Sequence, residues 1–320
     1  MTNEVKIFCL KEWSSGKEKE DYELLDTGDR ERLERFGKYT FVRPYEDAVW
    51  PKTLENGKWE KIDGKFWSSK EGAKSGWDME HKVELKWEMS YKGIKFLASP
   101  TPFRHLGFFP EQASHWDFIE EKIKSVGRPV KFLNLFGYTG VASLFALRAG
   151  AEVTHLDASK QTLNWAKENE KLNNLAQGVA QGESLRVIED DALKFLEREE
   201  KRGNKYDAIV MDPPKFGRGP KGEVWKIEEM LPKLLSAVRK VLSDKPLFVI
   251  LTSYAIDASS LSLGHALKDM MKPARNASGI DDAGGDFGGD VESGELCVLE
   301  KSNNRIIPLA NTAVWSALEK

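Results

Sequence analysis

Four short segments between residues 130 and 216 recur in the same structural setting, and this constrains the fold more than anything else in the chain. The first is Val130–Gly140, V-K-F-L-N-L-F-G-Y-T-G, an apolar run that breaks at a glycine turn and opens a helical pattern. The others are His155-Leu156-Asp157, Asp190-Asp191-Ala192 and Asp212-Pro213-Pro214-Lys215-Phe216, each closing an apolar run. Strand and helix patterns alternate from 130 to about 272, which implies a parallel sheet built from βαβ units. In such a sheet ligands bind beyond the carboxyl ends of the strands, where these four segments fall. The periodicity predicts strands at 130–136, 151–156, 184–188, 206–211 and 246–252. Helices are expected at 139–149, 159–174, 191–202, within 223–242 and at 257–272, with Pro232 starting the fourth near Leu231. Residues 295–308 read as two strands joined at Ser302-Asn303-Asn304, an antiparallel hairpin that closes the sheet. The expected fold is α/β, a doubly wound, mostly parallel, Rossmann-like sheet of seven strands.

The texture ahead of this region differs. From Asp21 to Pro102, Trp50, Trp59, Trp67, Trp77 and Trp87 recur every 8–10 residues between turn pairs such as Asn56-Gly57, Asp63-Gly64 and Lys92-Gly93. That spacing suggests a small antiparallel β domain over 21–102, its tryptophans packing a core rather than stacking bases. Residues 1–20 read as a polar lead-in and 103–320 as the main domain. A helix is expected over 111–126, with Trp116, Ile119, Ile123 and Val126 on one face and Gly127 and Pro129 stopping it. The Gly/Asp-rich stretch 276–294 reads as a flexible loop. A length of 320 residues, 40% of them apolar, suits about two domains with ordinary cores. A net charge of −3 argues against a strongly basic, non-specific nucleic-acid binder but leaves room for a locally basic groove. Cys9 and Cys297 lack ligand spacing, so neither a disulfide framework nor a metal site is expected, and a reducing cytoplasm fits. No apolar run is long enough for a membrane span, and the first residues carry no signal-peptide pattern.

The turn Gly137-Tyr138-Thr139-Gly140 is not G-x-G-x-x-G, the pattern a dinucleotide pyrophosphate needs. It offers one close backbone approach, for a ligand without phosphate. S-adenosylmethionine fits: backbone around Phe136 and Gly137 would meet its amino-acid part, with Asn134 adding a side-chain contact. Asp157, 20 residues after Gly137, can accept hydrogen bonds from ribose hydroxyls, because Ser159 is available to cap the following helix. Asp191 can accept from the adenine amino group or cap helix 191–202, and the two readings stand level. Two prolines after a buried strand make a rigid bend that aims the Asp212 carboxylate and the Pro213 carbonyl into the cleft, beside Pro214. There they can accept hydrogen bonds from a planar amine. Phe216 could stack on a base, and Lys215, Arg218 and Lys221 could position phosphates. Glu111, between His105 and His115, could make a polar contact at the cleft, whereas His155 reads as a core residue.

On these residues, segment 130–216 resembles the class I S-adenosylmethionine-dependent methyltransferases. The phrases L-N-L-F-G-Y-T-G, Y-D-A-I-V-M-D-P-P-K-F and H-L-G-F-F-P-E-Q (105–112) resemble the bacterial 23S rRNA cytosine-C5 methyltransferase-like group, from about residue 100 onward. The resemblance implies methyl transfer from S-adenosylmethionine, with S-adenosylhomocysteine as product. It places Asn134, Phe136 and Gly137 along the methionine part, Asp157 at the ribose and Asp191 at the adenine. Asp212, Pro213 and Pro214 would then face the target. Enzymes of that group attack cytosine C6 with a cysteine that follows the fifth strand. Here that stretch is Leu251-Thr252-Ser253-Tyr254. The expected acceptor is therefore an exocyclic amine of a nucleobase in RNA, rRNA-like, rather than cytosine C5. Methylation of a protein or small molecule, and a non-catalytic binding module on the same fold, are the alternatives.

Overall fold

The computed structural model describes residues 4–13, 21–68, 74–173, 185–219, 221–254, 258–272 and 287–318. In chain order the strands are β1 (Val5–Leu10), β2 (Tyr22–Gly28), β3 (Glu31–Phe36), β4 (Tyr39–Pro44), β5 (Gly64–Ser68), β6 (Ser75–Met79), β7 (Trp87–Tyr91) and β8 (Ile94–Ala98). They continue as β9 (Lys131–Leu135), β10 (Glu152–Asp157), β11 (Arg186–Glu189), β12 (Ala208–Met211), β13 (Phe216–Arg218), β14 (Val224–Lys226), β15 (Phe248–Ser253), β16 (Gly289–Leu299) and β17 (Ile306–Ala317). The α-helices are the single turn α1 (Asn56–Trp59), then α2 (Ala113–Ser125), α3 (Val141–Arg148), α4 (Lys160–Lys171), α5 (Ala192–Arg202), α6 (Ile227–Val241) and α7 (Ser260–Met271).

The large sheet runs β11-β10-β9-β12-β15-β17-β16-β1. Strands β9 to β12 and β15 are mutually parallel, and β17 lies antiparallel between β15 and β16. Parallel strands with both faces covered must be apolar on consecutive residues. Accordingly, Phe132 and Leu133 on β9 are both fully buried but join different clusters. Phe132 packs with Ile119 and Ile123 of α2 and Leu144 and Phe145 of α3; Leu133 packs with Phe195 of α5, Leu234 and Val238 of α6 and Leu267 of α7. The expected strands, the doubly wound order and the closing hairpin are all present.

Three local expectations are corrected. Residues 5–10, read as part of a polar lead-in, form β1 and pair in parallel with β16, from Val5 opposite Ser293 to Leu10 opposite Val298. The described sheet therefore has eight strands, not seven. Val5 and Ile7 are 49% and 54% exposed on this edge, so the local sequence carries no core signature, and the partner lies almost the whole chain away. Of the expected loop 276–294, residues up to 286 lie outside the described set, but Gly289–Gly294 belong to β16. Helix α6 starts at Ile227 rather than near Leu231, with Pro232 inside it. The proline is exposed, and so is Glu228, whose carbonyl loses its helical partner; water can replace that bond.

The small five-stranded sheet runs β2-β3-β4-β5-β6, antiparallel except for the β4/β5 pair. Its core is not separate. Tyr22, Phe36, Phe41 and Trp87 share one cluster with Trp116 of α2 and Phe145 of α3, whose rings stack at 5.5 Å and 19°. Of the recurring tryptophans, Trp59 and Trp87 are buried, whereas Trp67 is 39% exposed. Within this small sheet Glu34, fully buried, accepts from Arg43 at 2.7 Å through each oxygen and from the Tyr22 hydroxyl at 3.0 Å. Arg43 also donates to the Arg104 carbonyl at 2.9 Å, which ties the small sheet to the strap 99–107.

Candidate active site

The four segments converge on a cavity of about 390 Å³ at the carboxyl edge of the parallel strands. Its position is the point where the strand order reverses between β10-β9 and β12. Phe136, Asp157, Asp191, Asp212, Pro213, Pro214, Lys215 and Arg218 all line it. Asn134 and Gly137 line a smaller adjoining cavity, of which Phe136 and Asp212 also form part. Two expected residues stand apart. Glu111 is 3% exposed and absent from the cavity wall, and Phe216 is 57% exposed with its neighbours, not itself, facing the cavity.

The glycine turn is shaped by its neighbours on β9 and β10. Left-handed backbone falls on the non-glycine residues Phe136 (φ +59°) and Tyr138 (φ +53°), together with Gly140 (φ +85°). Gly137 is required for space: a Cβ there would lie 2.3 Å from the His155 ring. The Nδ1 of His155 lies 3.0 Å from Ser143 Oγ, and Ser143 Oγ accepts from Asn134 Nδ2 at 2.9 Å. Burial pushes His155 down to about 4, so the imidazole is neutral. Strained non-glycine backbone of this kind persists where surrounding structure over-determines it, often at ligand sites.

Asp157 Oδ2 accepts from Tyr138 N at 2.9 Å, and Oδ1 accepts from Ser159 N at 2.9 Å and Thr162 Oγ1 at 3.1 Å. With these bonds made, Asp157 still lines the cavity. Burial raises the Asp157 carboxyl despite these bonds. Ser159 caps α4, as its sequence position suggested. Asp191 caps α5, accepting from Lys194 N at 3.0 Å through Oδ1, and still lines the cavity. Its neighbour Asp190 is paired with Arg198.

On the opposite wall stands Asp212, which burial and the charge of Glu111 hold well above the usual carboxylate range. Gln112 Nε2 reaches Asp212 Oδ2 at 3.4 Å and the Tyr254 hydroxyl at 3.1 Å. Tyr254 packs on Phe109 with ring centroids 4.8 Å apart, and Phe109 also meets Tyr138 and His105. Burial next to Arg43 and Arg104 pushes His105 down to about 3. Trp225 donates its indole N–H to the Pro214 carbonyl at 2.6 Å and packs against Phe136, so the hairpin β13–β14 is held over the Asp-Pro-Pro bend. Sequence reasoning assigned no role to Tyr138, Gln112, Tyr254 or Trp225. Gln112 and Tyr254 each stand inside a motif, but only the tertiary placement of the turn 110–112, packed against β16 and β1, brings Gln112 to Asp212 and Tyr254.

This lining suits an adenosyl ligand. The volume lies in the range of small-molecule sites, the walls are aromatic, and acceptors stand at two strand ends where hydroxyl and amino donors would arrive. Among the described residues no group of three or more His, Cys, Asp or Glu could hold a metal ion.

Comparison with known proteins agrees. The profile of a family described as "Conserved hypothetical protein 95" matches residues 114–250. The crystal structure of an S-adenosylmethionine-dependent methyltransferase from Agrobacterium tumefaciens is 38% identical, with a TM-score of 0.85, over 98% of this chain and 94% of that one. Ribosomal RNA large subunit methyltransferase K of Neisseria meningitidis is 27% identical over 257 residues, 77% of this chain and 70% of that protein. The K/L enzyme of Shewanella frigidimarina is 35% identical over 166 residues, 51% of this chain but only 22% of that longer protein.

Proposed function

This chain belongs to the S-adenosylmethionine-dependent methyltransferases, and from that premise we propose that it methylates an exocyclic amine of a nucleobase in ribosomal RNA. The observation that carries the reading is the Asp212-Pro213-Pro214 bend on the cavity wall, a carboxylate beside aromatic faces and opposite Asp157 and Asp191. S-adenosylmethionine, when bound, supplies an electrophilic methyl group. Asp157 would hold the ribose, Asp191 the adenine, and the turn around Phe136 and Gly137 the amino-acid end. Asp212 accepts a hydrogen bond from the target N–H, which orients the nitrogen lone pair and takes up the proton released on methylation. Orientation of this kind provides much of the acceleration in a displacement. Lys215 and Arg218 line the cavity and are exposed, a placement suited to phosphates of an RNA strand.

The Neisseria and Shewanella relatives are named as ribosomal RNA methyltransferases, which supports an rRNA acceptor, and a ribosomal substrate puts the reaction in the cytoplasm. Among the described residues no helix is long and apolar enough to cross a membrane. Cytosine C5 is disfavoured. β15 ends at Ser253, followed by Tyr254, and the two cysteines sit opposite each other on β1 and β16, on the far side of the sheet from β9 and β10. The test is transfer of labelled methyl to unmodified 23S rRNA, paired with calorimetric titration of S-adenosylmethionine. Asp212→Ala should abolish transfer and leave cofactor affinity nearly intact; loss of cofactor binding would refute the role given to Asp212.

A further inference from the structure

Helix α2 and the turn ahead of it bring His115 and Gln112 to the back of the site. His115 is 2% exposed, and burial pushes it down to about 3, so it is neutral and carries one ring N–H. Its Nδ1 lies 2.9 Å from Gln112 Oε1, and its Nε2 lies 3.2 Å from Thr312 Oγ1. The Gln112 amide has two orientations, and only one places its NH2 toward Asp212 and Tyr254. Those partners are a carboxylate oxygen and a phenol oxygen, both able to accept. The reverse orientation would set the amide oxygen against the Asp212 carboxylate. With the NH2 forward, Oε1 faces His115, and that contact requires the proton on Nδ1. Nε2 is then an acceptor, and the single hydroxyl proton of Thr312 turns to it at 3.2 Å rather than to the Leu251 carbonyl at 3.1 Å.

We infer that Gln112 is a positioning residue for methyl transfer: held by the Nδ1–H tautomer of His115, it fixes Asp212 Oδ2 and Tyr254 and reserves Asp212 Oδ1 for the acceptor amine. The inference rests on the reading of Asp212 as the acceptor of the target N–H. It names a chain, His115 to Gln112 to Asp212, that runs from β17 to the reacting face. A hydrogen bond from a neutral amide favours the ionised carboxylate over the protonated one. Gln112 therefore works against the burial and the Glu111 charge that oppose ionisation of Asp212. The titratable and charged groups around Asp212 are Glu111 and Tyr254 behind it, His115 beyond Gln112, Arg104, His105, Lys215 and Arg218 along the cavity, and Tyr138, Asp157, Asp190 and Asp191 across it. Burial raises the Glu111 carboxyl as well, and any charge it carries opposes that of Asp212.

The test uses the full chain with selectively ¹⁵N-labelled histidine and ¹³C-carboxyl-labelled aspartate. His115 should show the neutral Nδ1–H pattern from pH 6 to 8 in the wild type, and Gln112→Met should shift it toward Nε2–H. Asp212, assigned by loss of its signal in Asp212→Asn, should titrate about one pH unit higher in Gln112→Met than in wild type. On rRNA, Gln112→Met should lower kcat by about 10- to 100-fold and move the acid limb of the rate profile upward, with cofactor affinity unchanged. A wild-type His115 in the Nε2–H form, or an Asp212 midpoint indifferent to Gln112, overturns the inference. The magnetic-resonance readings need no substrate, so they decide it even if rRNA proves not to be the acceptor.

Discussion

A carboxylate taken out of water beside a second carboxylate ionises reluctantly, and Asp212 stands beside Glu111 in that setting. Burial is the larger cause and the Glu111 charge adds to it, so the folded midpoint of Asp212 lies above that of the unfolded chain. The sign of the stability effect follows. Below the unfolded midpoint, near about 3.9, both states hold the proton and nothing is lost. As pH rises through the interval up to the folded midpoint, the unfolded chain releases its proton first and gains relative to the fold. Above the folded midpoint the penalty is complete. Asp212→Asn, which cannot ionise, should therefore raise Tm at pH 8, with the gain shrinking as pH falls toward the ordinary carboxylate range. The same substitution should remove activity, a trade of stability for function. Calorimetric scans of wild type and variant at pH 4 and pH 8 check this; a variant less stable at pH 8 would show that Asp212 is not strained by its ionisation.

At the scale of elements, what the sequence disclosed tracks the distance of the partner along the chain. Strands β9, β10, β12 and β15 were legible because burial on both faces writes itself into consecutive apolar residues, and the acidic ends of β10 and β11 were legible because strand and helix meet there. Within the glycine turn, Gly137 answers to His155 on the neighbouring strand, while Phe136 and Tyr138 bear the unusual backbone, and neither could be read from the turn alone. Glu111 lies behind the wall rather than on it, because only tertiary packing decides which side of the Phe109–Gln112 turn faces the cavity. Strand β1 was not legible, since β16 comes near the end of the chain and the strand's own side chains are largely exposed. Its anchor is Trp13, 3% exposed, whose indole donates to the Ser90 carbonyl at 2.7 Å and whose rings pack on Tyr91 at 4.7 Å and Trp116 at 6.1 Å. Trp13 thus locks the amino-terminal segment to β7 and α2 at once. Trp13→Ala should cost about 3–5 kcal/mol in urea unfolding, far more than a loosely held terminus could; a loss within about 0.5 kcal/mol would show that the segment adds little.

For the molecule as a whole, the small sheet is tied both to the strap 99–107 and to the hairpin of β16 and β17. Arg43 holds the Arg104 carbonyl, the Tyr45 hydroxyl donates to the Pro308 carbonyl at 2.7 Å, and Thr27 Oγ1 donates to buried Glu300 at 2.6 Å. The strap 99–107, so held, delivers Arg104 and His105 to one side of the cavity, while the β13–β14 hairpin delivers Lys215 and Arg218 to the other. Arg104, Lys215 and Arg218 are exposed at this mouth on a chain whose net charge is −3. If the acceptor is rRNA as proposed, a chain with a negative total would hold it through this rim rather than by overall charge. Each phosphate neutralised on a single strand releases counterions and contributes about −0.7 to the slope of log K against log salt. Three rim contacts would therefore account for about two units of slope. Replacing Arg104, Lys215 and Arg218 together with alanine should flatten the salt dependence of 23S rRNA binding by that amount, whereas alanines at Lys131, Lys205 and Lys245, far from the mouth, should leave it unchanged. An equal slope in wild type and rim variant would mean that the phosphates lie elsewhere, and an affinity independent of salt would favour a neutral small-molecule acceptor over RNA.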